Sequence, residues 1–195
     1  MKKRAWQRML SGRRLDLLNP SPLDVEINDI AHGLAFLARW NGQTTGKFMY
    51  SVAEHSLLVE HLFSSQNPNI EKKWCLAALI HDAAEYVIGD MISPVKNNIG
   101  VGYTNLENEL TKVIHIRFSL PPLLPSDIKK KIKEADRNSA WYEATQIAGF
   151  SQIDANQIFG KPKKTLSPEV LVKPSDPLIA RSNFLIRFNT LVEEM

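Results

Sequence analysis

Leu79-Ile80-His81-Asp82-Ala83-Ala84-Glu85 closes an apolar run that begins at Trp74. Imidazole and carboxylate groups enter such a run at a high desolvation cost unless something holds them there. A metal ion is the commonest stabiliser of that mixture of residue types. His81 and Glu85 fall on one helical stripe with Trp74, Ala77 and Ala78. The stretch therefore predicts a helix from about Ile70 to Ile88, capped by Asn69 and ended by Gly89, that carries polar groups into a core.

The neighbouring segments read the same way. Ser51 and Glu54 have capping-box spacing. The helix they open places Val52, His55, Val59, Leu62 and Phe63 at helical intervals and closes at Asn67-Pro68. Upstream, Asn28 or Asp29 caps a helix from about Ile30 to Trp40, and 41–46 is a loop by composition. Downstream, a helix over Thr104 to Phe118 stops before the prolines at 121, 122 and 125. Ser126 or Asp127 then caps a long helix to about Ile147, with Ile128, Ile132, Asp136, Ala140 and Glu143 on one face. Residues 150–175 read as loop, with a short hairpin around Leu166 to Val172. Asp176-Pro177 starts a last helix to about Glu194. Residues 1–26 are basic and then turn-rich, with a loop at Asn19-Pro20-Ser21-Pro22, and β signals are weak throughout. The expectation is an all-α bundle of about six or more helices, with a loop-rich segment before the C-terminal helix.

A chain of 195 residues makes one domain with a real core. Apolar content of 44% and charged content of 23% suit a soluble globular protein, and no run has the length of a membrane span. The basic start Met1-Lys2-Lys3-Arg4-Ala5-Trp6 is followed by no signal-peptide core. One cysteine, Cys75, excludes an intramolecular disulfide and fits a reducing cytoplasm; within a buried helix it reads as inert packing. Net charge is +3, with two lysine clusters: Lys129-Lys130-Lys131 with Lys133, and Lys161 with Lys163-Lys164. Neither carries the interleaved aromatics of a stacking platform, so they read as solvated surface and not as a site for a nucleic acid polymer. Small anionic substrates remain compatible with this charge.

Three helices each set a ligand type on an otherwise apolar face: His55, then His81 with Asp82, then Asp136. One histidine on an apolar face is usually a satisfied core residue, and one helical aspartate usually meets water. Concentration in one apolar turn is what argues otherwise. Two imidazoles with two carboxylates suit Mn, Fe, Co, Ni or Zn, and suit Ca poorly. Such a set leaves coordination positions open for water and a substrate oxygen. His32 and His61 fit no such position and read as structural, and His115 as a helix-face residue. His61, six residues after His55, faces elsewhere on its helix, so one metal ion is expected.

The succession His55 … His81-Asp82 … Asp136 resembles the signature of the HD-domain superfamily of metal-dependent phosphohydrolases over residues 28 to 147. Within it, Arg39-Trp40, Ala53-Glu54-His55-Ser56, His81-Asp82-Ala83-Ala84-Glu85 and Gly89-Asp90 through Pro94-Val95-Lys96 are similar to the bacterial 5′-deoxynucleotidases. The block from Leu15 through Asn41-Gly42 is also similar to phage-type and alphaproteobacterial HD hydrolases. The resemblance implies a single HD-type domain over 1–195 and a homodimer. It gives His55, His81, Asp82 and Asp136 the role of holding one divalent metal, and Glu85 that of general acid/base. Arg39 would bind the substrate phosphate, Trp40 would wall off the nucleoside, Asp90 would bind the sugar, and Lys96 would add to the phosphate field. The implied activity is release of phosphate from deoxynucleoside 5′-monophosphates. The alternatives are a deoxynucleoside triphosphate triphosphohydrolase and a non-catalytic nucleotide-binding module. The Arg39-to-His55 interval is one residue longer than in the deoxynucleotidases, and residues 148–175 have no counterpart there.

Overall fold

The capping box at Ser51 forms as its spacing predicts. Ser51 Oγ accepts the Glu54 N–H at 3.3 Å and Glu54 Oε2 accepts the Ser51 N–H at 2.9 Å, in a computed structural model that describes residues 5–92, 95, 101–163 and 170–195. The box opens α2 (Val52–Gln66), which is buried around much of its circumference by Val52, Ala53, His55, Ser56, Val59, Glu60, Leu62 and Phe63. A helix with so wide a buried face belongs at the centre of a bundle. α2 packs against α1 (Ile27–Ala35), α3 (Lys72–Leu79), α6 (Ser126–Gln146) and α8 (Pro177–Glu193). Among the described residues the remaining α-helices are α4 (Glu85–Ile88), α5 (Val101–Arg117) and α7 (Gln152–Ile158). The fold is a helical bundle, and no described helix is long and apolar enough to cross a membrane.

The one sheet among the described residues is a two-stranded hairpin, β1 (Trp6–Arg8) with β2 (Arg14–Asp16). Weak β propensity gave no sign of it. Leu15 anchors it in the core, and Ser11 in its turn gives Asp29 a backbone N–H at 2.9 Å and a hydroxyl at 2.5 Å. Asp29 is thus a buried acceptor inside α1, which starts earlier, at Ile27, with Glu26 as its cap.

α1 also ends earlier than its periodicity suggests, at Ala35 and not Trp40. The chain there turns extended to pair with the residues before α2: Arg39 N–H reaches Tyr50 O at 2.8 Å, and Val52 N–H reaches Leu37 O at 3.0 Å. Arg39–Gly42 then forms a tight 3₁₀ turn in which Trp40 and Asn41 take left-handed φ of 56° and 50°. A tryptophan in that region is strained and is held only where its surroundings over-determine it.

The expected Ile70–Ile88 helix is broken in two. α3 stops at Leu79, and the backbone runs through i→i+3 bonds, Ala83 N–H to Ile80 O and Glu85 N–H to Asp82 O, each at 3.0 Å. At the break the His81 Nδ1–H donates at 2.9 Å to Ala78 O, the carbonyl that an α-helix would offer to the N–H of residue 82. Glu85 therefore opens α4; it does not continue the stripe of His81. α4 lies against α1 backbone to backbone: a Cβ added at Gly33 would stand 2.8 Å from Tyr86 Cβ and 3.0 Å from its carbonyl oxygen.

Residues 150–175 are less irregular than their composition implies. Ser151 caps α7, which packs on α6. Of the hairpin expected at Leu166 to Val172, residues 166–169 lie outside the described residues. Val170 and Val172 instead bond to one side chain, Gln146, through its Nε2–H and Oε1 at 2.8 and 2.9 Å. Ser175 gives both its N–H and its hydroxyl to Glu54 Oε1, so this strap ties α6 back to α2 before Asp176 caps α8. α8 is fixed by Phe184 and Leu191 in the core and by Arg187, which grips buried Glu60 through two bonds at 2.8 and 2.6 Å. Cys75 is a buried free thiol on α3.

Candidate metal centre

α2 and α6 lie side by side and bring together residues that are far apart in sequence. His55, fully buried on α2, points Nε2 at Asp82 Oδ2 (3.4 Å) and at Asp136 Oδ1 (3.3 Å). His81 Nε2 lies 3.2 Å from the same Asp82 oxygen. The two imidazole rings are 5.3 Å apart, centroid to centroid. One ligand atom from each of His55, His81 and Asp82 falls within a 4.8 Å span, and Asp136 closes the set through His55. Three of the four residues expected as ligands share one span, and the fourth, Asp136, meets that group at His55.

The tautomers suit the same use. His81 Nδ1–H donates to Ala78 O, and His55 Nδ1–H donates to Glu143 Oε1 at 2.6 Å. Each ring thus leaves Nε2 as the nitrogen that faces the carboxylates, where a proton or a metal ion can sit, and both Nε2 atoms are buried without a hydrogen-bond partner. A buried polar nitrogen left unsatisfied is costly. Two of them aimed at two carboxylates is the donor set that a divalent transition metal requires, so the residues fit a metal ion.

The electrostatics agree. Burial and Arg39 oppose charge on His55, yet Glu143, Asp136 and Asp82 outweigh them and lift its imidazole well above the ordinary value. Against the cost of burial, His81 and His55 hold Asp82 well below the usual carboxylate range, and His55 lowers Asp136. The centre attracts positive charge. Glu85 behaves oppositely: burial, then Asp82 and Asp90, push it up to about 10, and its Oε2 is a buried atom with no partner.

Glu143 is the member that sequence reading missed. It is fully buried and accepts from His55 Nδ1–H, from the Ser139 hydroxyl at 2.7 Å and from Trp40 Nε1–H at 2.8 Å. Arg39 Nη2 stands 3.7 Å from its other oxygen. Burial would raise its pKa, but His55 and Arg39 bring it down to about 2. A carboxylate–histidine pair of this kind fixes the ring and raises its basicity toward a metal. The signal was present: a glutamate two turns after Asp136, on the stripe that Ile132, Ala140 and Ala144 bury.

Arg39, Trp40 and Asp90 form a layer beside the centre. Arg39 Nη1 meets Asp90 at 3.3 Å, while its Nε is buried and unpartnered. Acidic neighbours raise its pKa despite burial, with Glu143 and Asp90 foremost. Burial lifts Asp90, and Arg39 opposes the shift. Trp40 meets Phe150 at a tilt and Phe159 edge to face, at 5.6 and 5.9 Å. Lys96 lies outside the described residues. A cavity of about 830 Å³ opens on His81, Asp82 and Asp136, walled by α5, the Pro122–Leu124 turn and α6. His115, expected as a plain helix-face residue, is buried and lines this cavity; His61 is exposed and His32 stacks on Phe36, so both stay apart from it.

The fold and centre define a helical-bundle protein with a two-histidine, two-aspartate convergence at its heart. The chain belongs to the family of the uncharacterized protein RCAP_rcc00048 of Rhodobacter capsulatus, to which it is 59% identical over 193 residues, or 99% of this chain and 98% of that one. It is also 31% identical over 106 residues to the uncharacterized protein YfdR of Escherichia coli K12, covering 54% of each. No family model matches the chain.

Proposed function

We propose that this protein is a metal-dependent phosphohydrolase of the HD-domain superfamily, a 5′-nucleotidase that releases phosphate from deoxynucleoside 5′-monophosphates. The observation that carries the reading is the pair of buried, unpartnered Nε2 atoms of His55 and His81 facing Asp82 and Asp136. One divalent ion, Co, Mn, Zn, Fe or Ni, would be held by these four residues. When bound, it supplies Lewis acidity toward a phosphate oxygen and makes water a nucleophile near neutral pH.

The chain's own groups account for the remaining tasks. Glu85, pushed up to about 10, keeps a proton at neutral pH and can deliver it to the leaving sugar oxygen. Arg39 keeps its charge, and the unpartnered Nε gives its planar fork a free donor for phosphate. Trp40 walls the nucleoside, with its indole N–H tied to Glu143. Asp90, loosely held by Arg39, binds the sugar hydroxyl, and Lys96 adds to the phosphate field. The same reading gives a cytoplasmic homodimer that acts on a small nucleotide.

Phosphate release from a panel of deoxynucleoside mono- and triphosphates, with Mn or Co added, tests the reading. Free phosphate from monophosphates supports it. Inorganic triphosphate from triphosphates would move the assignment to a triphosphohydrolase, and binding without release to a non-catalytic module.

A further inference from the structure

Two successive residues of the Arg39–Gly42 turn, Trp40 and Asn41, stand in the left-handed region. Asparagine enters that region at little cost, whereas tryptophan does not. Asn41 is exposed, and its side chain makes no hydrogen bond among the described residues. The turn is therefore held at Trp40. Backbone bonds fix its two ends, with Arg39 N–H on Tyr50 O at 2.8 Å and Gln43 N–H on Trp40 O at 2.9 Å. The side chain is held by three others: its Nε1–H donates to Glu143 Oε2, and its ring meets Phe150 and Phe159.

Both phenylalanines come from the segment after α6, whose geometry aims them at the indole. Gly149, at a φ of 78°, reverses the chain, and Phe150 N–H returns to Ala144 O at 3.0 Å, one residue along from Glu143. α7 then carries the chain out and back. Trp141 Nε1–H pins it to α6 through Asn156 Oδ1 at 2.8 Å, and Phe159 N–H closes its last turn on Ala155 O at 2.9 Å. Phe150 and Phe159 meet each other at 6.1 Å, so with Trp40 they form a closed aromatic triad. Tilted and edge-to-face contacts of this kind fix ring orientation as well as burying area. Trp40 still remains half-buried, so part of its side chain faces outward.

We propose that Phe150 and Phe159 are positioning residues, which hold Trp40 in its left-handed turn and thereby set Arg39 and the nucleoside wall. Arg39 is the preceding residue, and its Nη2 stands 3.7 Å from the Glu143 oxygen that receives the indole N–H. A Trp40 that relaxed to ordinary backbone would redirect the chain at Arg39 and withdraw a donor from Glu143. The inference rests on the phosphohydrolase reading for what Arg39 and Trp40 bind. It adds that nucleotide affinity is controlled from residues 149–160.

The four tryptophans of the chain give one indole N–H signal each, so proton–nitrogen NMR reads the contact directly. Trp40→Phe and Trp141→Phe assign the two signals of interest. In Phe150→Leu and Phe159→Leu the Trp40 indole N–H is expected to exchange with solvent about tenfold faster than in the parent, as a loosened bond does. The Trp141 signal, which reports the seat of α7 on α6, is expected to keep its shift. Affinity of the metal-free variants for deoxyadenosine 5′-monophosphate, by calorimetry, is expected to fall about tenfold, the worth of one bond to a charged group. Phe159→Tyr, which keeps the ring, is expected to restore it. In the Mn-loaded variants KM is expected to rise about tenfold and kcat to change by less, because binding common to ground and transition states is lost.

Parental protection of the Trp40 signal in both leucine variants would overturn the inference, as would a released Trp40 with parental nucleotide affinity. A Trp141 signal that shifts along with it would also overturn it, since α7 would then serve only the fold. A parent protein that binds the nucleotide yet releases no phosphate sinks the hydrolase reading alone. Phosphate release by both leucine variants at unchanged KM sinks this inference alone.

Discussion

Glu143 Oε1 lies 2.6 Å from His55 Nδ1, with both side chains wholly withdrawn from solvent. That contact fixes which nitrogen of His55 faces the two aspartates. It also joins the metal centre to Trp40 and Arg39, because the same carboxylate receives the indole N–H and sits beside the guanidinium.

Glu143→Gln keeps the shape of the contact and removes its charge. Metal affinity is expected to fall about 10–100-fold, in keeping with losses at such supporting carboxylates. Glu143→Ala goes further and leaves His55 and Arg39 buried without their acid. A stability loss of about 3–5 kcal/mol is expected, as for a broken buried pair. Calorimetric Mn titration and urea unfolding measure the two effects separately.

The turn that breaks the helix gives Asp82 and Glu85 different tasks, and paired variants can show it. Asp82→Ala should lose both metal binding and phosphate release. Glu85→Ala should bind metal like the parent and lose turnover, by roughly the 10²–10⁴-fold typical of a missing acid/base. Parental activity in Glu85→Ala would refute the role assigned to it.

Gly33→Ala tests how α4 is seated. The new methyl would meet Tyr86 Cβ at 2.8 Å and Tyr86 O at 3.0 Å, and backbone cannot move aside cheaply. A loss of about 1–3 kcal/mol is expected from the overpacking. Turnover should fall more than metal affinity, because α4 carries Glu85 and none of the four ligands. Thermal unfolding and kinetics on one preparation decide it.

His115 gives a pH dependence that can be assigned by sign. Burial lowers its pKa below the ordinary value, with the carbonyls of Pro122 and Pro121 opposing the shift only in part. Around pH 6.5 and below, the unfolded chain then binds more protons at this position than the folded one does. Its contribution is fully present above about pH 6.5, the unfolded value, and is lost as pH falls from there through the lower folded value. His115→Gln should therefore flatten the acid side of the stability profile relative to the parent. Urea midpoints at pH 5.5 and 7.5 for both proteins provide the comparison. An unchanged difference between the two pH values would contradict the assignment.

Much of the bundle is legible in the sequence because its helices announce themselves. Ser51 with Glu54, Asp176 with Pro177, and the prolines before Ser126 are local signals, and each marks a helix end that forms. The four ligand candidates were legible for a related reason: a costly group on an apolar stripe needs an explanation. What escaped depended on contacts made across the fold. The end of α1 is set by pairing of Leu37 and Arg39 with Val52 and Tyr50. The break after Leu79 coincides with a side-chain bond from His81 to the Ala78 carbonyl. Glu143 is one more residue of a long stripe in the sequence, and only the fold sets His55, Ser139 and Trp40 around it.

The sole cysteine makes the protein its own clock. Cys75 is shut inside α3, the helix that delivers His81 and Asp82, and burial raises its thiol pKa. A thiol reagent can reach it only when that part of the molecule opens, so the labelling rate in native buffer counts those openings. Because this chain carries one cysteine, every labelled molecule reports the same event. Metal or nucleotide that binds only the closed form must slow the count in proportion to its occupancy. The affinities of both ligands could thus be read from the wild-type chain, without a substrate, a chromophore or an engineered probe.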